Sequence, residues 1–363
     1  MDTLIPHYTD ASEWQRIVYA NTGGTRSKTI LLHPETGDQY FFKGSKELDS
    51  GEFRYPTEFW SEIVASKIGQ LFGFEMLDYN IAYNTDFNQK IGCLSKSMVN
   101  NSINKLTEGK EYLIGYDGKY DPEKHKKNYT FQFISSALKS FELDDYIKNM
   151  IEIIVFDALI GNSDRHQENW AVITNFEEAI HKINKTLDQK NNGIITTNAL
   201  RLLKWTTNLH EKYFGSNQIP KRMKRQMLRN NSTIAPHHFS PIYDSGCCLG
   251  REIEDKNVKD YLTNPQKIEK YLKKGTSEIH WDGFDQKKSH FELIELVRKD
   301  YPNEVNTVLK NIKENFDEKR ISELIMQIDS NLPETLKEHK LSEERKELMI
   351  KLITLRGEKL KEY

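Results

Sequence analysis

Two short words in the chain carry residue types that could do chemistry. They are Gly161-Asn162-Ser163-Asp164-Arg165-His166-Gln167-Glu168-Asn169, directly after an apolar run, and Ser240-Pro241-Ile242-Tyr243-Asp244-Ser245-Gly246 further on. Phosphoryl transfer accounts for the combination. Its transition state asks a protein for positioning and charge: one carboxylate to orient the attacking hydroxyl, and an amide oxygen and a second carboxylate to hold magnesium against the phosphates. Asp164, Asn169 and Asp244 are the candidates for these tasks. The Asp-x-x-x-x-Asn spacing is weak alone, because both residues are common in exposed loops; the second word gives it meaning.

Groups with such tasks need elements to hold them. The alternating runs 29–32 and 39–43, joined by His33-Pro34-Glu35-Thr36-Gly37-Asp38, predict a hairpin. Residues 56–72 place Phe59, Ile63, Ile68, Leu71 and Phe72 near helical spacing, with Gly73 where a C-cap stands. Strand-like runs at 78–83 and 90–99 complete a small sheet carrying one helix. Past residue 130 helices dominate: 146–160 is the strongest, and amphipathic segments recur around 291–297, 305–316, 321–328 and 342–355. The stretch 175–231 is rich in Lys, Asn and Thr and reads as a partly helical, solvent-exposed insertion. Its cluster Lys221, Arg222, Lys224 and Arg225 reads as a localisation or nucleic-acid patch or, more commonly for such runs, a solvated helix face.

Composition bounds the rest. A chain of 363 residues is long enough for two lobes. Its 52 Lys and Arg against 54 Asp and Glu argue against a surface built wholly for nucleic acid or anionic lipid. The three cysteines, Cys93, Cys247 and Cys248, make neither a disulfide framework nor a metal knuckle, which suits a reducing cytosol; the adjacent pair reads as small buried apolar side chains. His166, His237 and His238 lack zinc spacing. No signal peptide is apparent, and the apolar run 150–160 is broken by Glu152 and Asp157, so no membrane span is expected. Asp157 lies near a helix C-terminus, where the dipole disfavours an acid, and is read as a structural acceptor for the loop that follows.

Taken whole, the string from Gly161 to Asn169 together with Asp244-Ser245-Gly246 after Pro241-Ile242-Tyr243 resembles the HipA-like serine/threonine protein kinases. The likeness is nearest to the short branch that includes cell-translocating kinases, and it runs from Gly23 to the C-terminal helices apart from the insertion. The Asp-Arg-His-x-x-Asn part also resembles the catalytic loop of phosphatidylinositol kinases. The resemblance implies an α+β, two-lobed protein-kinase-like fold, with a small sheet-bearing N-lobe over 1–100 and a mainly helical C-lobe over 101–363 that contains the insertion. It implies ATP and magnesium. Lys43 becomes the lysine that meets the ATP phosphates and Glu62 its partner, with Glu58, one turn earlier on the same face, left open. Gly23, Gly24, Thr25 and Lys28 fall in the phosphate-covering loop, where glycine lets backbone N–H groups approach phosphate. His166 braces the catalytic loop, and residues 94–99 lead between the lobes past the adenine. Ser27 or Thr25 becomes a site of self-phosphorylation that lowers activity.

The implied activity is transfer of the γ-phosphoryl group of ATP to a serine or threonine hydroxyl of a protein substrate, by a toxin or effector. The family also implies an antitoxin partner. The glycine loop, however, begins at Asn21, without the additional N-terminal segment of longer members, which argues against a direct carry-over of their antitoxin interface and DNA-linked repression. A cytoplasmic protein is expected, with delivery into another cell left open. Three other readings stand beside this one. A lipid or small-molecule kinase would use the same motif. A non-catalytic pseudokinase is opposed by the joint presence of Lys43, Asp164, Asn169 and Asp244, and a nucleic-acid-binding module using the basic cluster is opposed by the near-neutral charge of −2.

Overall fold

The structure, a computed structural model, describes residues 4–17, 28–45, 47–100, 103–177, 225, 228–229 and 235–363. Gly23, Gly24, Thr25, Arg26 and Ser27, and nearly all of the 175–231 insertion with Lys221, Arg222 and Lys224, lie outside the described residues. The chain packs as two compact units, one of Met1–Met98, Lys148–His166 and Pro241–Tyr363, the other of Val99–Ile147 and Gln167–Ser240. This partition by packing is discontinuous in sequence, whereas the division at residue 100 is linear; six of the strands lie before that residue and three after it.

In the first unit, β1 (Tyr8–Asp10), β2 (Gln15–Ile17), β3 (Lys28–Leu32), β4 (Gln39–Lys43), β5 (Asn80–Tyr83) and β6 (Ile91–Lys96) form one mixed sheet in the order β1-β5-β6-β4-β3-β2. The expected hairpin is β3–β4, with Lys28 opposite Lys43 and Leu32 opposite Gln39. Its loop closes through His33 N–H to Asp38 O at 2.9 Å, and Gly37 takes a φ of +70° that a side chain would resist. Period-two alternation sends Leu31 and Phe42 into a cluster with Ala11, Ala82 and Leu94, where Phe42 stacks on Phe87 at 4.6 Å. Lys43, next along β4, therefore points to the opposite face of the sheet.

Helix α1 (Glu58–Leu71) packs against β6 of the sheet. It is buried all round, with Trp60, Ile63, Val64, Ala65 and Ile68 almost without exposure. Its charged residues are buried too, so each needs a partner; Lys67, for example, meets Asp78 at 2.5 Å. The helix stops at Gly73, φ +79°, where Gly73 N–H bonds Gln70 O and Phe74 N–H bonds Gly69 O, a Schellman ending.

The second unit contains α2 (Gly109–Tyr116), α3 (Phe131–Ser140) and a sheet of β7 (Asn104–Glu108), β8 (Ala171–Asn175) and β9 (His237–Phe239) in sequential order. Its centre is Trp170, stacked parallel to Phe239 and donating through Nε1 to Tyr129 Oη at 3.0 Å. Gly109 admits that indole: a Cβ there would lie 2.0 Å from Trp170 Cε2.

The helix expected over 146–160 is α4 (Ile147–Ile160). The C-terminal part of the first unit adds α5 (Asp255–Thr263), α6 (Pro265–Lys274), α7 (His290–Asp300), α8 (Pro302–Asn315), α9 (Glu318–Met326) and α10 (Glu343–Lys361). The four C-terminal amphipathic segments are α7 to α10, and their starts are chemically marked. Ser289 and Glu292 form a capping box on α7, Pro302 opens α8, and Asp317 and Ser342 cap α9 and α10. Helices α5 and α6 have only Val258 and Ile268 fully buried, too few to announce themselves by periodicity. Among the described residues no helix is long and apolar enough to cross a membrane.

Candidate active site

The last residue of β4 carries a lysine into the interior. The Lys43 ammonium, with 5% of its side chain exposed, meets Glu62 Oε2 at 2.7 Å and also pairs with Asp244. Glu62 is fully buried on α1 and accepts two further hydrogen bonds, from Ser245 N–H at 2.6 Å and Gly246 N–H at 3.1 Å. One carboxylate thus fixes both the lysine and the backbone of the Asp-Ser-Gly loop. Asp244 holds a φ of 55°, a left-handed conformation that Asp tolerates better than most residues, and its N–H meets Tyr79 Oη at 3.4 Å. Burial raises the Tyr79 phenol well above its ordinary value, and the Glu62 and Asp244 carboxylates add to this, so the ring stays neutral.

Glu58, the alternative partner for Lys43, is engaged elsewhere. It is paired with Arg251, whose guanidinium lies 4.7 Å from the centre of the Tyr55 ring. The two glutamates are one turn apart on the same helix, and the structure gives each its own cation.

The Asp164 loop begins where α4 ends. Gly161 has φ +71° and Asn162 N–H bonds Asp157 O at 2.9 Å, closing the helix. Asp157, read as structural from sequence, accepts from Asn162 Nδ2 at 2.9 Å and takes a two-pronged pair from Arg165, Nε at 3.0 Å and Nη2 at 2.8 Å. Arg165 has no exposure; its remaining donors reach Tyr243 O at 2.5 Å and Ser245 Oγ at 2.9 Å. A buried fork is therefore the pin between the Asp164 loop and the Asp244 loop. Ser163 N–H to Cys247 O, at 3.3 Å, runs alongside it. Asp164 itself receives Cys247 Sγ at 3.2 Å. Burial, with Glu62 next, raises the neighbouring Cys248 thiol well above its usual value, so it is an inert S–H.

His166 is half-buried and its N–H bonds Asp164 O at 3.0 Å. Asn169 belongs to the second unit and is buried there. The segment around it is clamped by the start of α2: Lys110 N–H to Gln167 O at 2.8 Å, Gly109 N–H to Trp170 O at 2.9 Å, and the Lys110–Glu168 pair at 2.6 Å. Lys28 opens β3.

Sequence reasoning passed over Arg165, Tyr79 and Arg251. A buried arginine inside a motif next to a buried helix acid was the available signal for the first. The other two, Tyr79 and Arg251, stand 17 residues past Glu62 and 193 residues past Glu58, and had none. Gly92 was also missed; a Cβ there would lie 2.6 Å from Lys43 O.

Among the described residues no group of three His, Cys, Asp or Glu side chains is arranged as a metal cage. Magnesium held by one or two carboxylates together with phosphates and water requires none. The donors suit it: Asp244 offers a hard carboxylate, 13% exposed, in a cluster of one cation and two carboxylates whose net charge a divalent ion would compensate.

Comparison with solved structures identifies the fold. The Helicobacter pylori proinflammatory kinase CtkA matches with a TM-score of 0.66 at 18% identity, over 98% of this chain and 95% of that one. A chain of the Shewanella oneidensis MR-1 toxin–antitoxin complex of HipA, HipB and operator DNA matches with a TM-score of 0.50 at 11% identity. That match takes in 96% of this chain, which spans 65% of the other. No family model and no curated protein sequence matches. The mixed N-terminal sheet with a mostly helical remainder is the HipA/CtkA kinase-like fold, the class the two sequence words imply.

Proposed function

We propose that this chain is an ATP- and magnesium-dependent protein kinase that phosphorylates serine or threonine. The observation that carries the reading is Lys43 held between Glu62 and Asp244 on a kinase-like fold, with the Asp164 loop pinned to the same Asp-Ser-Gly segment by Arg165. In this role the Lys43 ammonium neutralises nucleotide phosphate while Glu62 keeps it aimed, and Asp244 is the carboxylate that would hold the metal. Magnesium, when bound, supplies charge neutralisation at the transferring phosphoryl group. Asp164 orients the attacking hydroxyl and receives its proton. The assignment of Asn169 as the second metal donor rests on its spacing from Asp164. The phosphate-covering role of Gly23, Gly24, Thr25 and Lys28 rests on the family resemblance, as does self-phosphorylation at Ser27 or Thr25, where about −1.5 to −2 of added charge would oppose ATP. Of the two neighbours, the fuller match is to a kinase named without an antitoxin; the HipA–HipB complex supports an antitoxin partner as the narrower possibility.

Calorimetry of ATP with and without magnesium tests the reading. Wild type should bind more tightly with the metal, and Asp244→Asn should lose most of that gain because a neutral amide leaves metal and phosphates undercompensated. Equal affinity in all four combinations would remove Asp244 from a metal site.

A further inference from the structure

A cavity of about 550 Å³ in the first unit is built around a buried cation. Its lining includes Gly161 and Ser163, which precede Asp164, Tyr261 of α5, Tyr271 and Lys274 of α6, and Arg356 of α10. It shares no residue with the Lys43, Glu62 and Asp244 cluster.

Arg356 is 3% exposed. Its guanidinium is fitted against two glycines: a Cβ on Gly161 would lie 2.8 Å from Cζ, and one on Gly275 2.8 Å from Nη2. Of its five N–H donors, Nη1 reaches Ala158 O at 3.2 Å, placing a cation by the last carbonyls of α4. Among the described residues no carboxylate pairs with it. Glu252 on the same wall accepts from the Tyr271 hydroxyl at 2.8 Å, and Glu254 pairs with Lys256 at 2.5 Å. His290 beside it is drawn down to about 3 by burial and by Arg356, so it is neutral and brings no compensating charge. The Glu252 carboxylate favours the charged guanidinium through its field but does not pair with it; a guanidinium taken out of water without an anion in direct contact is costly, and the remaining donors of Arg356 belong to a residue that lines an open cavity.

The surroundings define the anion. Lys274 is an exposed second cation, and Ser163 and Thr276 add two hydroxyls to the lining, more donors than the flat oxygen pair of a carboxylate takes up and a number suited to the several oxygens of a phosphate. Tyr261 and Tyr271, edge to face at 5.8 Å, provide an aromatic wall, and the volume exceeds what a bare phosphate fills. We propose that this cavity binds a small phosphomonoester, its phosphate on Arg356 and Lys274 and its organic part against the two tyrosines. The proposal is independent of the kinase reading.

The test is calorimetry and thermal unfolding of the full chain with inorganic phosphate and glucose 6-phosphate as probes, in a Lys43→Ala background that removes phosphate binding at the nucleotide lysine. Glucose 6-phosphate should bind saturably in the millimolar range or below and raise Tm with concentration, and inorganic phosphate should bind more weakly. Arg356→Met should weaken the sugar phosphate by about tenfold or more, the loss of a charge-assisted fork, while the unliganded protein stays folded. If that variant does not fold, Lys274→Glu on the surface and Gly275→Ala, at an ordinary φ of −62°, should each weaken binding severalfold. Undiminished binding in the folded variants, equal affinity for the two probes, or no saturable binding of either would overturn the proposal.

Discussion

Replacing Glu62 by Gln removes one charge and almost no volume from the most connected side chain of the site. Glu62 and Lys43 have side-chain exposures of 1% and 5%, so water does little to screen them. Removing one partner of a buried pair costs about 3 to 5 kcal/mol; Lys43 keeps Asp244, which points to the lower end. The amide retains one acceptor oxygen for the N–H groups of Ser245 and Gly246, and the one left without costs about 1 to 2 kcal/mol more. The expected total of about 4 kcal/mol is a large part of the roughly 5 to 15 kcal/mol typical of a folded domain. Urea unfolding measures the loss, and calorimetry should show ATP binding about tenfold weaker or worse, since a 1.4 kcal/mol change in lysine placement is worth about that factor. Glu58→Gln is the control: it breaks the pair with Arg251 and should cost stability while leaving ATP affinity unchanged. The reasoning fails if Glu62→Gln loses less than about 1 kcal/mol, below the cost of a single orphaned buried N–H, and binds ATP normally. It fails equally if Glu58→Gln weakens ATP as much as Glu62→Gln does.

Gly92→Ala should destabilise by about 1 to 3 kcal/mol, the usual cost of overpacking, because the new methyl would lie 2.6 Å from Lys43 O and 2.9 Å from Phe42 Cζ. ATP affinity should fall with it as β4 shifts; unchanged unfolding and binding curves would show that the strand pair yields without cost. His290 supplies a pH dependence. Its value of about 3 in the fold lies below the ordinary 6.5, so its contribution is complete above pH 6.5 and is lost as pH falls from there toward 3. Between pH 7 and pH 5 this one group should remove about 2 kcal/mol of stability. His290→Leu should flatten that slope in urea titrations, whereas an unchanged slope would place the acid sensitivity elsewhere.

The parts of the fold that were legible in the sequence are those with local causes. The β3–β4 hairpin announces itself by its turn, α1 by apolar spacing and Gly73, and the C-terminal helices by stripes that end in caps. The sheet of β7, β8 and β9 was not legible, because strands of five, five and three residues are drawn from segments far apart in sequence. Strand β1 is equally silent: three residues stabilised by parallel pairing with β5. Asp164 and Asp244 stand in the two motifs and Lys43 follows from the family resemblance, but helical spacing treats Glu58 and Glu62 alike. What separates them is Arg251 and the backbone N–H groups of Ser245 and Gly246, groups more than 180 residues downstream of each glutamate. Arg165 lies inside the motif, but the sequence shows neither its burial nor its partner; with Arg165 and Asp157 both buried, each explains the other.

Transfer itself is the most direct test. The purified chain is incubated with magnesium and ATP labelled in the γ-phosphoryl group, with and without a generic serine- and threonine-rich protein, and phosphopeptides are mapped by mass spectrometry beside Asp164→Asn. Wild type should place phosphate on serine or threonine of the chain or of the added protein. Asp164→Asn should bind ATP as wild type does yet transfer slower by about 10²-fold or more, the contribution of a positioned acid–base group. Phosphorylation by Asp164→Asn at the wild-type rate, or ATP-bound wild type that labels no protein hydroxyl, would contradict the assignment of this chain as a protein kinase.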